Sequence, residues 1–361
     1  MPVRAAPDAR RIILVRGLRG FADGLVSILL PGYLTALGFT PLQVGAIVTG
    51  TLLGSAALTV ALGLGGHRLE RRSVLLGASL LMLGTGVGFA GIARFWPLLV
   101  VAVLGTLNPS AGDVSVFLPT EQAALAQTAS GHQRTRLFAW YNVTGNLSGA
   151  LGSLAGGVPA LAAQAYGVAP VAGDRAGFLL YALVGIAGLA CYAGLGHSVE
   201  VHAVASAPLA RSRPIVIRLA ALFSLDSFGG GFAVQSLLVL WLYERFHVSV
   251  GAAGSIFFAA GLVPTAPAAI AFLLLRASLS QMDVPVRQAF VMAVVPPEER
   301  AAASSVTNVP RSLAAAVPPI FTGAMLGYSA LGWPLVCGGL IKAAYDVLLL
   351  MQFRGVSPSH D

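Results

Sequence analysis

The sequence predicts an all-α polytopic membrane protein built as two pseudo-symmetric helical bundles, with about ten full spans plus a short stub. Three observations carry this. The composition is 56% hydrophobic and only 10% charged, with a mean hydropathy of +0.81, against about 25% charged residues in ordinary soluble domains. Apolar runs of about 20 residues, the length that crosses a bilayer, recur along the whole chain of 361 residues. The chain also repeats itself: a shift of 166 residues lays PTEQA at 119–123 on PVRQA at 285–289, and pairs Arg134 with Arg300, Asn142 with Asn308 and Gly157 with Gly323.

Cut at charge, Gly and Pro, the apolar runs give spans near 14–36, 42–64, 73–92, 97–125, 136–160 and 177–196. The stretch HSVEVHAVASAPLARSR at 197–213 follows, the longest polar segment inside the chain. It divides a six-helix bundle, residues 1–197, from a second bundle, residues 214–361, through a cytoplasmic linker at 198–213. Further runs lie near 215–243, 250–294, 302–326 and 331–352. The starts of the two halves align at a shift of 208, with Leu29, Leu30 and Leu34 on Leu237, Leu238 and Leu242. The second half therefore lacks about 42 residues, the counterpart of Gly54 to Trp96. On this reading the long 250–294 run is the stub of one helix joined to a later one.

Arginines test the order of spans. Connections and tails assigned to the inside carry twelve of them, including Arg10, Arg11, Arg68, Arg71, Arg72 and Arg134, whereas outside connections carry Arg94, Arg175 and Arg245. This asymmetry places both termini in the cytoplasm. The first run, near Arg11, has no cleavage site of a removable signal peptide. Lys342 is the only lysine, a coding bias expected of a GC-rich bacterial genome, so the expected location is a bacterial inner membrane.

Several function classes are excluded. The net charge of +8 sits in short connections between apolar runs, which reads as membrane orientation and not as nucleic-acid binding. Cys191 and Cys337 both fall within apolar runs and read as small buried hydrophobes; no Cys/His pair has metal-ligand spacing, and no cofactor is expected. A nucleophile with its base, an H-E-x-x-H and a phosphate loop are all missing from the sequence, so an enzyme is not expected.

Charge inside a span is costly, so each ionisable residue there is a candidate for function. Arg276, Asp283 and Arg287 fall within about 40° of one helical face at 100° per residue. Arg276, near the midplane, is a candidate for holding an anionic substrate or for pairing with Asp113 or Asp226. Asp23 and Asp226 occupy comparable early positions in the two halves, where a carboxylate in a low-dielectric bundle can exchange the proton that proton coupling requires. Asp23 also has a local alternative partner, Arg19, at i−4, whereas Asp226 has none nearby in sequence. Lys342 and Asp346 read as an i, i+4 pair that neutralises itself. Glu121 superposes on Arg287 under the 166-residue shift, which suggests a cytoplasmic gate formed by these two charges, or by Arg287 with Asp283. The small residues Gly145, Gly149, Gly152 and Gly156 form one smooth face for close helix packing.

The loop Gly63-Leu64-Gly65-Gly66-His67-Arg68-Leu69-Glu70-Arg71-Arg72 resembles the G-x-x-x-D-R-x-G-R-R signature of the major facilitator superfamily. Gly63, Arg68, Arg71 and Arg72 match; His67 stands where the family has Asp and Glu70 where it has Gly. The resemblance implies two six-helix bundles around a central path, here with the second bundle shortened, and makes Arg68, Arg71 and Arg72 gate candidates. It implies a secondary transporter that moves a small molecule by alternating access, with proton-coupled efflux as the expected direction. The fourth span lacks the central arginine of many proton-coupled exporters, and the fifth has no Gly-Pro pair of the antiporter signature. A second reading, a scaffold or remnant that lost transport with the missing helix, stays open. The expected partners are the small-molecule substrate, the lipid bilayer and a second copy of the chain that fills the groove left by the missing helix.

Overall fold

The computed structural model describes residues 7–65, 70–109, 116–128, 131–196, 212–246, 300–328 and 333–353, and all their regular structure is helical. Helix α1 (Pro7–Ala36) turns at Gly38, whose φ of +85° is the left-handed conformation that glycine adopts without strain, into α2 (Pro41–Gly65). Helix α3 (Arg71–Gly91) follows. The fourth run, expected as one span, is divided into α4 (Phe95–Leu104) and α5 (Phe117–Gln127). Extended backbone at Gly105 ends α4, four residues before Pro109, where a continuing helix would lack an N–H.

The fifth run is likewise α6 (Gly131–Ala155) and α7 (Val158–Ala165), parted at Gly156–Gly157 with Pro159 in the first turn of α7. Helix α8 (Pro170–Ala193) closes the first half and starts seven residues before the apolar run, because Pro170 supplies a preset first turn. In the second half α9 (Arg213–Gly231) and α10 (Gln235–Phe246) share the seventh run, parted after Gly229-Gly230-Gly231. Helices α11 (Arg300–Ala316) and α12 (Pro318–Tyr328) share the 302–326 run, parted at Pro318-Pro319, and α13 (Trp333–Phe353) is last. Hydropathy sees none of these interruptions, since Gly and Pro break a helix without making it polar. The 250–294 run, and with it the expected stub, lies outside the described residues, as does most of the linker. Among the described residues, five helical stretches are by themselves long and apolar enough to cross a bilayer: 41–62, 71–91, 170–193, 213–241 and 333–351.

The first half is organised around α1, which packs along α6 and α8, while α3 covers α8 and α4 packs on α2. The α1–α6 contact uses the smooth face expected from the sequence. A Cβ on Gly24 would stand 2.0 Å from the Gly149 carbonyl oxygen, so the two backbones touch. In the second half α9 carries α11 and α13. The halves meet through α2 on α11 and α12, and through α1 on α10. At the end of the molecule opposite the N-terminus, α2 and α12 are pressed together with Gly45 on Gly323; a Cβ on Gly323 would fall 2.4 Å from the Pro41 carbonyl oxygen. One apolar core runs through the first half and takes in Val234, just before α10, and Leu237 and Leu240 of α10, and a smaller one holds α9 to Tyr345 of α13.

Candidate functional site

Inside the first half a carboxylate and a guanidinium are sealed from solvent. Arg19 of α1 donates to Glu121 of α5 at 2.7 Å, with side-chain exposures of 3% and 0%. The hydroxyls of Tyr141 (α6) and Tyr192 (α8) also donate to the Glu121 carboxylate. The Arg19 guanidinium lies 3.7 Å over the Phe117 ring, and Arg16 lies 5.1 Å over that of Tyr141. Four helices thus converge on one carboxylate. A buried ion pair is tolerable only when its remaining hydrogen-bonding capacity is met, and the two tyrosines and the aromatic face do that here.

Asp23 lies one turn along α1 from Arg19, half-buried, within electrostatic reach of both the Arg19 guanidinium and the Tyr181 phenol of α8. Tyr181 donates at 3.0 Å to the carbonyl of Thr106, in the non-helical stretch after α4. Backbone that leaves the helix at membrane depth must find its hydrogen bonds elsewhere. The Thr106 N–H donates to Thr85 Oγ1 of α3 at 3.3 Å. The Pro109 carbonyl accepts from both the backbone N–H and the hydroxyl of Ser236 in α10, at 3.3 and 2.8 Å. The same hydroxyl also reaches the Ser27 carbonyl of α1 at 2.9 Å. The interruption of the fourth span is therefore held by its own half and by the other, with Asp23 beside it.

In the second half Lys342 of α13 donates to Asp226 of α9 at 2.5 Å. This replaces the local Lys342–Asp346 pair expected from sequence. The crossing of α9 and α13 at Gly229 and Gly338 brings Lys342 within reach of Asp226, while Asp346, one turn further along α13, is exposed. Arg19 is ion-paired with Glu121 of α5, with its neighbour Asp23 also within electrostatic reach. Glu121, expected at a gate, is enclosed by residues of its own half. Of the other gate candidates, Arg71 donates to the Ala123 carbonyl at 3.5 Å and Arg72 to that of Ala193, the last residue of α8, at 2.6 Å. Arg68, Asp113, Arg276, Asp283 and Arg287 lie outside the described residues.

Sequence reasoning missed Tyr141, Tyr192 and Ser236. A tyrosine in an apolar run was the available signal for the first two, since its hydroxyl needs a partner when buried. Cys191 and Cys337 are free thiols, and no metal-binding group of His, Cys, Asp and Glu occurs among the described residues.

The arrangement has relatives. A crystal structure of a D-xylose–proton symporter matches with a TM-score of 0.71 at 15% identity, over 97% of this chain and 98% of that one. The inward-open xylose transporter XylE of E. coli gives 0.64 at 14% identity, over 97% of each chain. A bacterial homologue of the human lysosomal transporter Spinster, inward-facing and occupied, gives 0.63 at 17% identity, over 97% of this chain and 86% of that one. At these identities the likeness is one of fold. In sequence the chain is 23% identical, over 94% of its own length and 92% of the relative's, to the uncharacterized membrane protein YJR124C of Saccharomyces cerevisiae. The family profile of the Major Facilitator Superfamily matches residues 12–264, well over half the chain, and the protein belongs to that superfamily.

Proposed function

We propose that this chain is a secondary active transporter that moves a small molecule by alternating access and exports it in exchange for protons. One observation carries the reading: Asp23 stands beside the interrupted fourth span, at the seam where Ser236 of the second half grips Ser27 and Pro109 of the first. Interrupted helices at the junction of two repeats are where transporters bind substrates and coupling ions. A carboxylate there changes its surroundings whenever the halves rock, which is what a proton carrier requires. The name of one fold relative, a proton symporter, is consistent with this chemistry.

In this reading Asp23 carries the proton, and Asp226 balanced by Lys342 is the second-half candidate. Asp113, Arg276 and Asp283 are the remaining candidates for the substrate path. Arg71 and Arg72, which reach carbonyls of α5 and α8, are gate candidates together with Arg68 and Arg287. Glu121 anchors the first half and would have to leave Arg19 to take part in a gate. The arginine asymmetry supports cytoplasmic termini in a bacterial inner membrane. The partners are a small-molecule substrate, the bilayer and a second copy of the chain.

The test uses proteoliposomes loaded with a pH-sensitive dye and challenged with a panel of small molecules. The expected result is a compound whose uptake or release moves protons with the wild type and does not with Asp23→Asn. Transport without proton movement, or an unaffected Asp23→Asn variant, would sink the coupling assignment.

A further inference from the structure

Where α1 meets α6, at the end of the molecule that carries the N-terminus, the two helices leave a groove of about 590 Å³. Its floor is the helix contact itself. Gly17 has no side chain, and a Cβ there would stand 2.9 Å from Thr144 Cγ2 and 3.4 Å from Ser148 Oγ. These short residues leave the space above them unfilled, and Leu14, Leu18 and Phe21 of α1 wall it. The rim is apolar and open. Leu14 is 56% exposed, and Val143 and Leu147, next to Thr144 and Ser148 on α6, are 53% and 59% exposed. In a chain that spans a bilayer, such a rim faces hydrocarbon.

Charge is confined to one end of the groove. Arg10 closes it on α1, and no carboxylate is among the described residues that line it. Arg136 of α6 is exposed on the side that carries Val143 and Leu147, within about 20° of each at 100° per residue. The two arginines are level with each other. Helices α1 and α6 run parallel, with Gly20 on Gly145 and Gly24 on Gly149, a constant offset of 125 residues that sets Arg10 beside the turn of Arg136. From Arg10 to Phe21 the groove runs ~16 Å at 1.5 Å per residue, close to the ~15 Å of one leaflet's hydrocarbon.

We propose that this groove holds one anionic phospholipid, its phosphate at Arg10 and Arg136 and one acyl chain lying over Gly17 toward Phe21. Basic sites between spans recognise anionic head groups, and the guanidinium fork matches a phosphate. An apolar trough one leaflet deep with cations at its membrane-surface end has the shape and the charge of that ligand. A second copy of the chain is a poor occupant, since a two-fold contact here would set the same arginines against each other. The site goes beyond the transport reading and depends on the membrane-spanning fold alone.

The experiment is a lipid titration of the purified, delipidated chain, read by native mass spectrometry, with phosphatidylglycerol and phosphatidylcholine of identical acyl chains. The expected result is one phosphatidylglycerol held about tenfold more tightly than phosphatidylcholine. Arg10→Gln with Arg136→Gln should abolish that preference. Arg213→Gln with Arg218→Gln, which removes as much charge from the exposed start of α9, should keep it. Ser148→Leu, which fills the floor, should weaken both lipids several-fold, and glycerol phosphate, a head group without chains, should displace neither. A wild type without preference, or equal losses from the two arginine pairs, reduces the attraction to diffuse charge and overturns the proposal. Binding that Ser148→Leu leaves intact places the lipid elsewhere, and displacement by glycerol phosphate makes this a site for soluble anions; either result overturns it as well. If Ser148→Leu fails to fold, the arginine pairs, all four exposed, decide the matter.

Discussion

Replacing Glu121 by glutamine removes one negative charge from the first half and changes almost nothing in shape. At 2.7 Å between donor and acceptor the charge centres of Arg19 and Glu121 are about 4 Å apart, an attraction of about 4 kcal/mol at an effective dielectric constant near 20. The variant keeps a side-chain oxygen for the Tyr141 and Tyr192 hydroxyls, so their hydrogen bonds persist in weakened form. What it cannot keep is the hydrogen-bonded counter-charge of Arg19, which stays buried with Phe117 over its face and only the Asp23 carboxylate within electrostatic reach. Breaking a buried pair from one side costs about 3–5 kcal/mol, two to more than three orders of magnitude in the folding equilibrium. Arg19→Met with Glu121→Gln removes both charges and should recover most of that loss, giving a large favourable coupling in a double-mutant cycle. The assay is unfolding in detergent, followed by tryptophan fluorescence across all four variants. If Glu121→Gln alone is as stable as the wild type, or the double variant is no better than the single, the pair is not the clamp described here.

Gly24→Ala should separate α1 from α6 and destabilise strongly, because its Cβ would sit 2.0 Å from a backbone oxygen. Gly77→Ala, where a Cβ meets nothing within 4 Å, should instead stabilise α3 by about 0.5–1 kcal/mol in the same unfolding assay. Lys342→Met should destabilise by removing the ammonium that lies against the buried Asp226 carboxylate, and Lys342→Met with Asp226→Asn should recover part of the loss, again read by unfolding. Ser236→Ala removes the hydroxyl that joins α10 to α1 and to the Pro109 carbonyl, worth about 1 kcal/mol. It should shift the balance between open and closed arrangements about fivefold, measured by the fraction of spin-label pairs at the shorter distance.

Much of the fold was legible because its driving force is additive along the chain. The runs that became α2, α3, α8 and α13 announce themselves by hydropathy, and the glycine face of α6 by its spacing. The division of the fourth run was not legible, since Thr106, Leu107 and Pro109 leave it apolar enough to be read as one span. Ion-pair partners were the hardest part. Local spacing offers Asp23 to Arg19 and Asp346 to Lys342; the structure adds Glu121, 102 residues away, to the first and pairs Lys342 with Asp226, 116 residues away. A helix carries its neighbours at i±4 in plain sight, but the helix it packs against is decided by where small residues let backbones meet. Gly229 against Gly338 is the local reason that Lys342 finds Asp226.

Under the proposed alternating access, the two halves rock about the seam at Ser27, Pro109 and Ser236. Spin labels at Leu42 on α2 and Tyr328 on α12, both exposed at the end where Gly45 presses on Gly323, report on it directly by pulsed electron resonance in lipid nanodiscs. Proton-coupled rocking predicts two distance populations, a shorter one with Gly45 against Gly323 and a longer one, whose ratio changes between pH 5.5 and pH 8 in the wild type and is fixed in Asp23→Asn. A single distance, unchanged by pH and by the substitution, would contradict alternating access in this chain.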